Sequence, residues 1–291
     1  MNDRKKLVLQ TAKQLFIENG FQATSIQDIL NEAHISKGTF YNYFSSKNEC
    51  LMAILRDAYY LSFLHRNELA IGKDLSDPQV LSEQIHIRLS MNREQNLLPL
   101  FETVVHSSDE ELREFLKQMH YRELAWIAKR LVDIYGNEIK VYAFDCASMM
   151  FGFIQHSLGI WKSSTVEPLD TKQLVNFMMQ RMEVIVPDII QQNTCFLSQD
   201  IVERILTGAE MYPVTQDVLV EKMQAFVDGL PKSIGKQYGQ FLVEELSSTS
   251  PRNYMLESVV RSFRQAFEGS DFQLQAVELS AAVWSFIHKT E

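Results

Sequence analysis

Cysteine is scarce in this chain of 291 residues: Cys50, Cys146 and Cys195 lie far apart and form no CxxC pair. Such spacing excludes a disulfide framework and the common zinc-ligand patterns, and leaves the three thiols to be read as small buried hydrophobes. Glycine and proline are also few, at 11 and 7, so little interrupts long helices, and no convincing hairpin signal is present. No apolar run approaches the roughly 18 residues of a membrane span. The N-terminus MNDRKKLVLQTAKQLF lacks the apolar core and cleavage site of a signal peptide, so a cytoplasmic protein without a membrane partner is expected. Catalytic signatures are missing too: no glycine-rich phosphate loop, no HExxH, no nucleophile elbow. Neither an enzyme nor a bound metal or cofactor is expected.

What the chain does have is a globular composition, 46% hydrophobic and 22% charged, over a length beyond the usual single core. The net charge of −9 conceals an asymmetry, because residues 1–56 carry +2 and the remainder −11. A locally basic segment attracts phosphates, while an acidic remainder limits indiscriminate adhesion.

Nearly every segment shows the 3.6-residue periodicity of helix. Val8, Ala12, Leu15 and Phe16 share one face, and Asn19-Gly20 ends that helix. Ser25 reads as the N-cap of a second helix, with Asp28 in its first turn and Ile26, Ile29, Leu30 and Ala33 on its buried side. Ser36 caps a third helix that runs to about Tyr43, and Ser46 with Glu49 forms a capping box for a long fourth one. Further helices are predicted over 109–135, 138–162 and 170–187, the last disturbed by Pro187. Beyond them come four or five more, opened by Thr215 and Ser250-Pro251 and separated by Gly208, Gly229-Leu-Pro231 and Gly269.

The informative stretch is TSIQDILNEAHISKGTFYNYFSSKNECL, from Thr24 to Leu51. Two short helices with a tight turn, followed by a third helix start, are the parts needed to lay a recognition helix in a major groove. Gly38 leaves room for close approach, Lys37 and Thr39 reach base edges, and Tyr41 and Tyr43 bring hydroxyls to the backbone, while Phe40 and Phe44 face inward. Lys47 stands where an ammonium and free helix N–H groups favour a phosphate. The candidate DNA-contacting set is Thr24, Ser25, Ser36, Lys37, Gly38, Thr39, Tyr41, Asn42, Tyr43 and Lys47. On spacing alone, Tyr41, Tyr43 and Lys47 also suit the surface of an ordinary helical bundle that binds only protein.

Over about its first 50 residues the chain resembles the TetR family of bacterial helix-turn-helix regulators. Thr24, Ile29, Ala33, Ile35, Ser36, Gly38, Tyr41, Phe44 and Lys47 match that pattern in order, as do Ala12, Leu15, Phe16, Gly20 and Phe21 ahead of them. Departures are Leu30 for a common Ala, Tyr43 for a frequent His, and His34 for the turn Gly. His34 must then take a left-handed conformation, which His tolerates better than most residues.

The resemblance implies an all-α protein in which residues 1–47 form a three-helix DNA-binding domain and 48–193 a larger ligand-binding and dimerisation domain. It does not explain residues 194–291, which are helical by pattern and form an extension of unknown role. It further implies a homodimer, with helices 138–162 and 170–187 at the interface. The function implied is a repressor, released from double-stranded palindromic operator DNA by a small, largely apolar inducer. Phe101, Phe115, Met119, Trp126, Met149, Phe153 and His156 are candidates to line the pocket, with His106 and His120 as further polar contacts. Each of these fits ordinary core as well.

Overall fold

The computed structural model describes residues 3–105, 107–164, 167, 169–209, 215–268, 270 and 272–287, so His106 and Gly269 lie outside the described residues. Among the described residues there are fourteen α-helices and no strand, the all-α class expected. The first four are α1 (Asp3–Glu18), α2 (Ile26–Glu32), α3 (Lys37–Tyr41) and α4 (Lys47–Ala70); α5 (Pro78–Glu94), α6 (Leu98–Val105) and α7 (Glu110–Tyr135) follow. The series continues with α8 (Ala143–Ser164), α9 (Thr171–Gln192), α10 (Gln199–Ala209) and α11 (Gln216–Asp228), and closes with α12 (Ile234–Leu246), α13 (Asn253–Gln265) and α14 (Gln273–Ile287).

Several boundaries differ from the sequence expectation. Pro187 sits inside α9, which continues to Gln192; a proline removes one hydrogen bond without obliging the helix to stop. Residues 137–139 form a 3-10 turn, so α8 begins at Ala143 rather than 138. The third helix ends early, with Asn42 as its C-cap. Gly208 lies within α10 rather than between helices.

Two compact units divide the chain: Met1–Ser62 with Ile85–Ala209, and Phe63–Gln84 with Glu210–Glu291. This division does not coincide with the boundaries at 48 and 194 expected for the functional parts. In the first unit, Val8 and Phe16 of α1, Ile29 of α2, Phe40 of α3 and Leu51 of α4 share one core with Leu100 and Val104 of α6 and Leu112 of α7. The DNA-binding helices have no separate core to be cut off at residue 47. Helix α10 belongs to this unit as well, while residues 63–84 go with the C-terminal helices.

The second unit buries Leu219, Met223 and Val227 of α11 against Leu242 and Leu246 of α12, Val260 and Phe263 of α13, and Val283 and Trp284 of α14. The α12–α13 corner is tied by Glu245, whose Oε1 accepts the Arg252 backbone N–H at 2.6 Å and whose Oε2 accepts from the guanidinium Nη2 at 2.6 Å. Those bonds hold the Glu245 carboxyl well below its ordinary 4.5, down to about 2. A carboxylate with a depressed folded value stabilises above its unfolded value and loses that contribution as pH falls through the folded one. Amide hydrogen exchange in α12 and α13 is therefore expected to accelerate as pH drops from 4.5 toward 2, after correction for intrinsic rates. Glu245→Gln should flatten that dependence.

Candidate nucleic-acid interface

The interface is built on the turn between α1 and α2. Thr24 is 1% exposed, and its hydroxyl donates toward the Leu15 carbonyl at 3.2 Å and the Gly20 carbonyl at 2.9 Å. The Lys47 ammonium donates to the carbonyls of Phe21 and Thr24, both at 2.8 Å, and lies 4.4 Å from the centroid of the Phe21 ring. Burial lowers the Lys47 pKa, opposed by the charge of Asp28. The Thr24 side chain is thus an internal lock. Lys47 has two of its three protons committed inside the protein, which leaves one to present outward.

Both short helices are capped by their own sequence. Ser25 Oγ accepts the Asp28 N–H at 3.1 Å, and Asp28 Oδ2 accepts the Ser25 N–H at 2.7 Å, a reciprocal capping box. Ser36 Oγ accepts the Thr39 N–H at 3.2 Å. Between the helices, His34 takes φ 51°, the left-handed conformation the missing glycine requires, and the Ile35 N–H bonds the Leu30 carbonyl at 3.1 Å. At α4 the expected box is shifted by one residue: Ser46 Oγ accepts the Glu49 N–H, but the Glu49 carboxylate takes the N–H of Ser45.

Helix α3 is held from below by Phe40 and Phe44, both fully buried. Lys37, Gly38, Tyr41 and Asn42 are exposed, Thr39 and Tyr43 half-buried, and the Lys37 ammonium lies 5.9 Å from the Tyr41 ring centroid. A Cβ added at Gly38 would meet only Ser36 Oγ, at 3.9 Å. Nothing inside the fold demands a glycine there, although alanine would favour the helix by about 1 kcal/mol.

The same unit holds a cavity of about 690 Å³ with walls from α4, α5, α6, α7 and α8. Of the expected lining residues, Phe101 and Met119 are there; Phe115, Trp126, Met149, Phe153 and His156 are not. Phe115 packs in the core beneath the Arg56 guanidinium, at 5.0 Å. Met149, Phe153 and His156 are exposed on α8, where Phe153 stacks on Phe177 of α9 with centroids 5.7 Å apart. His120 does line the cavity. Sequence reasoning missed Arg88 and Glu123, an ion pair at 3.1 Å whose side chains are 14% and 4% exposed. The available signal was a charge on the core stripe of each helix: Arg88 continues Leu81 and Ile85, and Glu123 falls between Met119 and Ile127. Of the three thiols, Cys50 and Cys146 are buried, and burial pushes them up to about 12 and about 11. Cys195 is exposed, contrary to expectation, and its Sγ donates to the Leu197 carbonyl at 2.9 Å.

A helix-turn-helix whose second helix stands exposed over an aromatic anchor defines a DNA-binding protein. Residues 8–54 match the family described as bacterial regulatory proteins, tetR family. The uncharacterized HTH-type transcriptional regulator YerO of Bacillus subtilis (strain 168) is 25% identical, covering 99% of this chain and 99% of its own. YuxN of the same organism, also an uncharacterized HTH-type transcriptional regulator, is 24% identical over 91% of this chain and 94% of its own. The HTH-type transcriptional repressor KstR2 of Mycobacterium tuberculosis is 38% identical over 56 residues, 19% of this chain and 28% of its own. Residues 8–54 are thus a tetR-type DNA-binding segment, and over nearly its whole length the chain is similar to helix-turn-helix transcriptional regulators.

Two substitutions separate lock from surface. Thr24→Val, which removes a buried hydroxyl at nearly constant shape, is expected to lower stability by about 1–2 kcal/mol in urea unfolding. Tyr41→Phe, on the exposed side of α3, should stay within about 0.5 kcal/mol of the parent.

Proposed function

We propose that the protein is a homodimeric repressor that binds a palindromic operator through α3 and leaves it when a small molecule fills the cavity of the first unit. The observation that carries the DNA-binding part is the exposed α3 with a glycine that no internal contact requires. Ser25, Ser36, Lys37, Gly38, Thr39, Tyr41, Asn42 and Tyr43 form the contact set, with Lys47 contributing at most its remaining proton to a phosphate. Regulation, not catalysis, is the role proposed, and a regulator of chromosomal DNA works in the cytoplasm.

Dimerisation is supported by the apolar side chains left uncovered on α8 and α9. Met149, Phe153, Ile160, Phe177 and Val184 are all exposed, Val184 by 70%, and Phe153 stacks on Phe177 across the two helices; uncovered apolar groups on neighbouring helices suit an association surface. Two copies paired there would present two α3 helices, which must lie about 34–36 Å apart to enter successive major grooves. Repression is favoured because a dimer seated on a promoter blocks polymerase with no additional parts, and KstR2, a relative over this domain, carries the name of a repressor.

Gly38→Val tests the reading directly. The added side chain has open space in the free protein, so circular dichroism and the unfolding midpoint should stay close to the parent. Binding to an operator fragment should fall at least about a hundredfold, because the bulk displaces several phosphate and base contacts at once. Parent-like affinity for the valine variant would remove α3 from the interface.

A further inference from the structure

We infer that the cavity of the first unit takes an organic anion with a hydrocarbon body, its charged group held between Ser62 and Arg88. This rests on the proposed function only in treating the cavity as a ligand site.

The cavity has two unlike walls. Leu98, Phe101 and Val104 of α6, with Phe151 of α8, make an apolar side, whereas Ser62 of α4 and Arg88 and Asn92 of α5 bring polar groups. Ser62 is 3% exposed, and its hydroxyl has no hydrogen-bond partner among the described residues. A serine inside a helix ordinarily bonds back to the carbonyl one turn earlier. A buried hydroxyl left unpaired is unfavourable, and one that lines a cavity is satisfied when a polar ligand group arrives.

Charge selects the sign of that group. Arg88, Arg113 and Lys117 line the cavity against a single carboxylate, Glu123, which is already bound to Arg88 at 3.1 Å. A cationic ligand would have to compete for that carboxylate beside three positive groups. An anion meets the positive charge of the Arg88 guanidinium, together with a Ser62 hydroxyl able to donate. Arg113, exposed on α7, adds attraction at the rim, where Lys117 is already paired with Glu114 at 2.9 Å. At about 690 Å³ the space suits a ligand of moderate size with most of its surface apolar.

Isothermal titration of the full-length protein with decanoate, decanol and decyltrimethylammonium tests the inference. Decanoate is expected to bind roughly tenfold more tightly than decanol, the size of one charge-assisted hydrogen bond, and the cation more weakly than either. Arg88→Leu would strand Glu123 and risks misfolding, so Ser62→Ala is the informative variant. It should melt no lower than the parent without ligand, yet bind decanoate several-fold more weakly. Decanol or the cation matching decanoate, unchanged decanoate affinity in Ser62→Ala, or no binding of any of the three would overturn the inference. If decanoate binds as expected but leaves the operator complex intact, the ligand class stands and the release mechanism falls.

Discussion

A half-buried ammonium and a buried hydroxyl at one turn fix the geometry on which the rest depends. Lys47 reaches from the first turn of α4 to the carbonyls of Phe21 and Thr24, and Thr24 turns its hydroxyl back to Leu15 and Gly20. Partial burial disfavours the charged amine, the Asp28 charge opposes this in part, and the two carbonyls with the face of Phe21 supply its contacts inside the protein. Three helices are thereby held at one point without using any residue on the outer side of α3. Phe40 and Phe44 complete the support from below, which leaves Lys37, Gly38 and Tyr41 exposed on the outer side of α3.

The cavity and this platform are joined by contacts within the first unit. Lys13 of α1 donates to Gln95 at 3.0 Å, just ahead of the α5–α6 turn, and Asn48 of α4 donates to Asp109 at 2.8 Å. Asp109 is also the N-cap of α7, the helix that supplies Met119 and Glu123 to the cavity wall. Leu100 and Val104 of α6 lie in the same core as Phe16 and Phe40. A ligand that shifts α6 or the start of α7 therefore works against the seats of α1 and α4, which is the physical form reciprocal coupling between effector and operator would take.

Local features were legible in the sequence because local chemistry decides them. Ser25 and Ser36 cap the helices they were expected to cap, and His34 adopts the strained turn that the missing glycine implied. Features that depend on direction were not legible. Thr24 and Lys47 look like surface residues in a helix-turn-helix, and only the packed turn turns them inward. Met149 and Phe153 lie on a helix apolar around most of its circumference, so periodicity could not say which side faces a cavity and which faces out. The division into units was hidden for a further reason: residues 63–84 pack with helices more than a hundred positions downstream.

Selection of bound sequences from a random pool of duplex DNA, with the parent and with a Lys37→Ala, Thr39→Ala double variant, addresses the central claim most directly. The parent is expected to enrich an inverted repeat with half-sites about one helical turn apart, and the variant to keep that spacing while losing base identity at one or two positions in each half. Enrichment of no sequence by the parent, or identical half-sites from both proteins, would contradict the assignment of α3 as the reading element.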